Sequence, residues 1–560
     1  MCNTLGTNSW TLEDAPLDGG IIYSRPLGHT ELGFYWDSLF NGTADSVKHL
    51  EVGVFGEAAA SIFAAPNVER AWLVMKRKFP LLGAQLREHI DRRHVHFTVS
   101  EDQLGRINLD ELEFKEVSSE AEVQEFIFSL LNEPRRLSNE LLARVSILPR
   151  TEKYQRQHVI FQSAHCITDG VSNYSFLRNF LNELVSPSLK GKWSLQERLA
   201  LSIPCEDLFP SRKMTLARQR WRRAIANVIF QQKFKKLLNG HGLPRKFTSL
   251  TNITPAISNH ITRTLAPGES SAIIHNCRRL GITFGNALYV LGQISMTRLL
   301  CQEYIRGNLS SEEWEYRKRE PMIVGGPLNL RPFLDKQWYE RGGATNVCTS
   351  ISFFTFVQPF MSLGTASHLE RGDRIPTFRE LLTPGRFVLR SKLIRRQAMK
   401  VVEHPLFPEI SAVNRPARVE RARSTALTWI NSQTKNQMRV PIPVPVQEQG
   451  GGAFVFSHGG SSFGNVDKLL PKIYPESNVE HANAGIRIYE SETMLHCRPG
   501  ELYLGSSMIH EKLRIVVFSD GNVYDKSTVA EWLDGVVEAT RYYLGGGADL
   551  ESPNCNKSHL

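Results

Sequence analysis

Cysteine is scarce, eight in 560 residues, and the eight are scattered with no CxxC pair among them. That spacing excludes a disulfide framework and a structural zinc site, both of which need closely placed thiols. Long apolar runs are missing too. No window approaches the ~18 apolar residues of a membrane-spanning helix, and the first thirty residues hold no apolar stretch of signal-peptide length. A soluble, cytoplasmic protein with no integral membrane association is expected, so the sequon at Asn41 says little.

Acid is absent from one long stretch. No Asp or Glu occurs from Phe209 to Gly268, although twelve Lys and Arg fall inside it, in a chain whose formal charge is +10. Nucleic acid, an anionic membrane or a phosphorylated small molecule could each answer such a run; the plain reading is a solvated basic connector. No RNP, zinc-finger or helix-turn-helix signature accompanies it, so no nucleic-acid partner is expected.

What is present is ample core material, 41% hydrophobic residues with 22% charged. Two halves of similar element content follow one another. Residues 1–18 and 546–560 have the composition of frayed ends. In a first half, 19–205, NVERAWLVMKRKF reads as a helix stopped at Pro80, and LLARVSIL and HVIFQSAH read as strands joined by a hairpin. VSNYSFLRNFLNEL then has helical spacing. The basic connector occupies 206–257. In a second half, 258–545, SNHITRTL and KLRIVVF are strand-like, a helix pair turns at Gly281 with Thr283 as cap, and Thr528 to Glu531 has the capping-box pattern. VPIPVPV, 440–446, must be extended, with a flexible QGGGAF beside it.

His165 closes the strand HVIFQSAH, and Cys166, Ile167, Thr168, Asp169 and Gly170 follow before the next helix. An imidazole at a strand end, followed by a tight Asp-Gly turn, suits a general base at a cleft. Cys166 reads as a small buried hydrophobe, and His165, Cys166 and Asp169 lack the further ligand a metal would need.

HCITDG matches the HxxxDG motif and resembles the acyltransferase superfamily of chloramphenicol acetyltransferase, plant BAHD enzymes, peptide-synthetase condensation domains and fungal alcohol acetyltransferases. Other segments resemble that superfamily in the same order: RPLGHTELGFYW (Arg25–Trp36), KFPLLGAQL, LARVSIL, RRLGITFGNALYVLG, PLNLRPFL, GGATNV and SSFGNVDKLLP. The plant DFGWG sequence is replaced by SSFGNVD, and Ala164 stands where condensation domains usually carry a second His. The pattern is most similar to the fungal trichothecene 15-O-acetyltransferase group.

The resemblance implies an α/β fold in which two chloramphenicol-acetyltransferase-like subdomains with mixed sheets form a pseudo-dimer around a solvent tunnel. It implies an O-acetyltransferase with acetyl-CoA as co-substrate, no permanently bound cofactor, no metal, and a small alcohol such as a sesquiterpenoid as acceptor, working as a monomer. His165 would be the base. Asp169 would point away from it and form a bidentate pair with Arg331, supported by Gly170. Ser461, Ser462 and Asn465, and more weakly His458, are the oxyanion or channel candidates. Arg386, Arg390, Lys392, Arg395 and Arg396, or the connector, would border the CoA mouth.

Two other classes are open to the same residues. GSSFG, residues 460–464, fits the GxSxG nucleophile elbow, with Ser462 as nucleophile and Asp467, Asp520, His496 and His510 available downstream. A non-catalytic, acyltransferase-like binding protein is the third option.

Overall fold

The computed structural model describes residues 9–13, 21–89, 93–153, 155–187, 193–434, 454–476 and 484–546. The 440–446 segment, most of QGGGAF and nearly all of both termini lie outside them. Three sheets form the frame. A small antiparallel one joins Thr11–Glu13, Ile22–Pro26, Val95–Ser100 and Gln85–Glu88.

The first large sheet has six strands, in the order Ile473–Tyr474, Ala484–Leu495, Ser46–Gly56, Arg156–Ser163, Ala143–Pro149 and Leu112–Phe114. Only the last pairing is parallel. The second also has six, in the order Ile351–Gln358, Met322–Asn329, Phe456–Asn465, Leu502–Ile509, Lys512–Asp520 and Ser258–Thr264. Its two pairings made by Phe456–Asn465 are parallel and the other three antiparallel. Both sheets are thus mixed and helix-covered, and the α/β class holds.

The halves are not separate along the chain. Strand Ala484–Leu495 pairs along the whole of Ser46–Gly56, so late sequence completes the first sheet and a cut near 258 does not part the two. Helix Arg415–Thr434 likewise packs on helix His29–Leu39. A third apolar cluster joins Val47, Ile160, Phe126 and Ile127 to Phe518, where the two large sheets approach each other.

Local chemistry sets the element ends. The helix Ala65–Lys78 stops before Pro80, whose ring forbids continuation. Gly281 takes φ +67°, and Thr283 caps Phe284–Ile305 by accepting from the Asn286 N–H at 3.2 Å. The last helix differs from expectation. It starts at Lys526, three residues before a Thr528 capping box would allow, and Glu531 instead accepts from Gln302. No helix among the described residues is long and apolar enough to cross a membrane.

Candidate functional site

Strand Arg156–Ser163 is buried along its last six residues, and the turn that follows presents His165 before helix Gly170–Val185 begins. Two clamps from distant sequence hold that turn. The Thr349 hydroxyl donates to the His165 carbonyl at 2.8 Å and lies 3.2 Å from the Thr168 carbonyl. Asp169 caps the helix through the Ser172 N–H at 3.0 Å and accepts from the Ser350 N–H at 2.9 Å.

Arg331 completes the second clamp. Its Nη1 donates to Asp169 Oδ2 at 2.7 Å, and its Nη2 to the Ser172 hydroxyl and the Cys348 carbonyl, both at 2.9 Å. The pair is therefore not the bidentate fork the resemblance implies: the second carboxylate oxygen is taken by the helix cap. Both groups are buried. Burial alone would raise the Asp169 carboxyl, but the Arg331 charge and the surrounding N–H groups outweigh it and hold it below the usual range.

The ring of His165 is set by residues that the sequence reading missed. Phe34 stacks on it at 3.9 Å and 7° between planes. On Phe34 lies the Arg418 guanidinium, 4.4 Å from the centroid, with Arg498 at 5.8 Å. Asp37 receives both arginines, Arg498 at 2.9 Å. Burial would raise the Asp37 carboxyl, and the two cations hold it low.

Arg418 reaches this place over Gly33, where a Cβ would come within 2.0 Å of its Nη1. The opening motif acquires a physical meaning here. Arg25 forks onto Glu31 at 2.8 and 2.7 Å, and Glu31 also accepts from the Gly28 N–H at 2.8 Å. These bonds pin the first turn of the helix that carries Phe34 and Asp37. Spacing i, i+3 on one helix was the available signal for those two; nothing in the sequence around Arg418 or Arg498 marks them.

His165 is partly exposed, with its Nδ1 buried against the backbone of the turn. Burial, seconded by the Arg498 charge, lowers its pKa to about 4, so the imidazole is neutral at pH 7. Cys166 is buried and its thiol is pushed up by that burial, which leaves it no nucleophilic character.

The channel candidates separate by strand alternation, since Ser461 to Asn465 end the strand Phe456–Asn465 and are not a loop. Ser461 accepts from the Tyr503 hydroxyl at 2.6 Å, and Phe463 touches Gly170, where a Cβ would lie 2.3 Å from its ring. Both face the first half. Ser462 faces helix Phe284–Ile305, 3.0 Å from where a Gly285 Cβ would sit. Asn465 spends its side-chain oxygen on the Asp467 N–H at 2.8 Å. His458 is not part of this group: it is buried in the second half, 5.2 Å from Trp532. Ser461, Ser462, Phe463 and Asn465 line a cavity of about 900 Å³, whose other walls include Phe284, Tyr289, Phe354 and Val401 but not His165.

The elbow geometry fails. Ser462 lies within a paired strand, with no helix following it, whereas a nucleophile elbow needs a strand-turn-helix junction. Asp467 accepts from the backbone of His510 at 2.7 Å, Asp520 is consumed by the N–H groups of Ile257, Gly500 and Asn522, and both nitrogens of His496 are buried without partners.

No family model matches the chain, and no curated protein matches it in sequence. Solved structures do. The trichothecene 15-O-acetyltransferase of Fusarium sporotrichioides is similar with a TM-score of 0.68 at 11% identity, covering 97% of this chain and 99% of that one. The condensation domain of the monacolin K polyketide synthase MokA gives 0.56 at 10%, covering 93% and 97%. The first condensation domain of the calcium-dependent antibiotic synthetase, bound to a substrate analogue, gives 0.55 at 11%, covering 93% and 96%. The fold is that of the chloramphenicol-acetyltransferase and condensation-domain acyltransferases.

The fold buries several neutral imidazoles in this chain. Burial lowers His158 and His241 to about 3, and His458 and His496 to about 4. Unfolded, each titrates near about 6.5. Below that value the unfolded chain takes up protons that the folded one refuses. Stability present above pH about 6.5 is therefore lost as pH falls toward 4, by up to about 1.4 kcal/mol per pH unit for each histidine. Scanning calorimetry is expected to show the unfolding midpoint dropping steeply through this window; a flat midpoint there contradicts the burial.

Proposed function

We propose that the chain is a CoA-dependent O-acetyltransferase acting on a hydroxyl of a small, largely apolar secondary metabolite. A sesquiterpenoid of the trichothecene type is the leading acceptor, supported by the likeness to the Fusarium enzyme over 97% of this chain. The carrying observation is the isolation of His165: Asp169 is committed to Arg331 and Ser350, which leaves a neutral, partly exposed imidazole with no carboxylate of its own.

Such a ring takes the proton of the acceptor hydroxyl as its oxygen bonds to the thioester carbonyl. The tetrahedral intermediate places charge on the former carbonyl oxygen. Ser461, which accepts from Tyr503 and keeps its own proton to donate, is the serine we assign to that charge. Collapse breaks the C–S bond, and the imidazolium returns its proton to the departing thiolate, yielding ester and free CoA. Asp169, Gly170 and Arg331 serve as positioning residues.

The 900 Å³ cavity, walled by rings and hydroxyls, is the space we assign to a polycyclic alcohol; His165 is not in its lining, and Phe463 ties it to the His165 turn by touching Gly170. Arg386, Lys392 and Arg396 project from Pro384–Val402, the helix whose far end lines that cavity, and are the residues we assign to CoA phosphates. Arg390 and Arg395 are less free, donating to the Pro359 carbonyl at 2.9 Å and the Gly281 carbonyl at 3.2 Å.

The deciding experiment follows free thiol release from acetyl-CoA with a panel of terpenoid and polyketide alcohols. Turnover lost in His165→Ala and kept in Ser462→Ala is the expected result; ligand binding without turnover in the wild type would mean a binding protein. A subtler variant probes the cavity wall. In Gly170→Ala the new methyl must push the ring of Phe463, which is 40% exposed. The acceptor KM is expected to change severalfold with little loss in thermal midpoint, and an unchanged KM would remove Phe463 from the acceptor site.

A further inference from the structure

The helix Leu216–Phe234 turns an apolar seam to solvent. Ala217, Trp221, Ala224 and Val228 recur at steps of four, three and four, which places them on one face. All four are exposed, Trp221 at 66% and Val228 at 60%. The opposite face is the seated one. Gln219 and Ala226 are buried there, and Arg222 anchors it by donating to Glu409 at 2.7 Å and to the Pro405 carbonyl at 2.6 Å.

Arg218 and Arg220 flank the seam on its two sides and Lys235 ends it. All three are exposed, and among the described residues no carboxylate is bonded to any of them. This is the heart of the stretch with no acid from Phe209 to Gly268. The proposed chemistry of His165 makes no use of it.

Charge decides what can cover such a face. A second copy docked about a two-fold axis would set these arginines against their own equivalents, which repel. A partner must instead be anionic and also accept an exposed tryptophan. On a lipid surface the cationic flanks can meet phosphates while the exposed Trp enters the interface.

We propose that Leu216–Phe234 docks the protein peripherally on an anionic lipid surface. Trp221 and Val228 enter the boundary between headgroups and acyl chains, while Arg218, Arg220 and Lys235 meet the lipid phosphates. The inference is independent of the acyl-transfer reading, because none of these residues belongs to the proposed site.

The test is sedimentation of the purified full chain with vesicles of phosphatidylcholine alone or mixed with phosphatidylserine. Wild type is expected to pellet with the mixed vesicles and to be released by salt. Trp221→Ser with Val228→Ser, and separately Arg218→Gln with Arg220→Gln, should each weaken binding about tenfold or more. Their thermal midpoints should match wild type, because these side chains support nothing beneath them. Equal binding to both vesicle types, no binding, or unaffected variants overturn the proposal. So does an oligomer that Trp221→Ser returns to monomer, or binding of single-stranded RNA in preference to the mixed vesicles.

Discussion

With His165 replaced by alanine, thiol release from acetyl-CoA in the presence of a competent alcohol is expected to fall by ~10²- to 10⁴-fold, the usual worth of a positioned general base. The loss should fall on kcat. Substrates lose one small side chain, while the walls that bind them stay in place. The fold should survive as well, because the backbone of the turn is held by Thr349 through the His165 carbonyl and by the Asp169 clamp, neither of which uses the imidazole.

The pH profile gives an independent readout. A base whose pKa lies at about 4 is already unprotonated at neutral pH, so the acid limb of kcat/KM in the wild type should lie well below the usual pH of about 6.5 for histidine. In His165→Ala that limb should vanish from the residual rate. A variant that keeps more than a tenth of wild-type turnover would end the proposal that this ring moves the proton.

Replacing Arg331 by leucine is expected to be the most damaging change to the fold. It removes a cation that is 1% exposed and strands an Asp169 carboxylate that is 2% exposed. Breaking a buried pair from one side costs about 3–5 kcal/mol, because the remaining charge is left in a poor medium. It also cuts the links to Ser172 and Cys348, so the turn bearing His165 should loosen and turnover should drop with stability.

The sign with pH is distinctive. In the wild type the Asp169 carboxyl is held low, so the stability it confers is full at neutral pH and is lost as pH falls through its depressed pKa. Without the guanidinium, burial dominates and raises that pKa, so acid neutralises the stranded charge. The gap in unfolding free energy between variant and wild type should therefore narrow toward pH about 4. Asp169→Asn combined with Arg331→Leu should recover part of the stability for the same reason. Denaturant titration of the three proteins checks both statements, and an Arg331→Leu protein as stable as wild type would show the clamp to be dispensable.

Different parts of the molecule were legible in the sequence to different degrees. The strand that leads into the His165 turn, the cap at Thr283 and the stop at Pro80 are local matters, written in apolar periodicity, a hydroxyl before a helix and a ring that cannot continue one. The RPLGHTELG segment was recognisable as a pattern before its reason was visible: Arg25 and Glu31 are six positions apart and form one buried fork. Ser461 and Ser462 could be named together but not told apart, because adjacent residues on a strand face opposite ways and only the placement of the strand says which way is in. The Thr528 box misled, since the same four-residue pattern inside a helix has no free N–H to cap.

By itself, the sequence determined the class of fold, the position of the imidazole at the end of a buried strand, and the basic stretch with no acid. These follow from short-range rules, in which each residue acts on neighbours a few positions away. Only the tertiary structure decided that Phe34 lies between the His165 ring and Arg418, that Arg331 gives Asp169 one bond and Ser172 another, and that a strand from 484–495 closes the first sheet. Those partners lie between about 130 and 450 residues apart. Which side chains meet over such distances is set by the simultaneous burial of two sheets and the helices that cover them, and no local pattern encodes it.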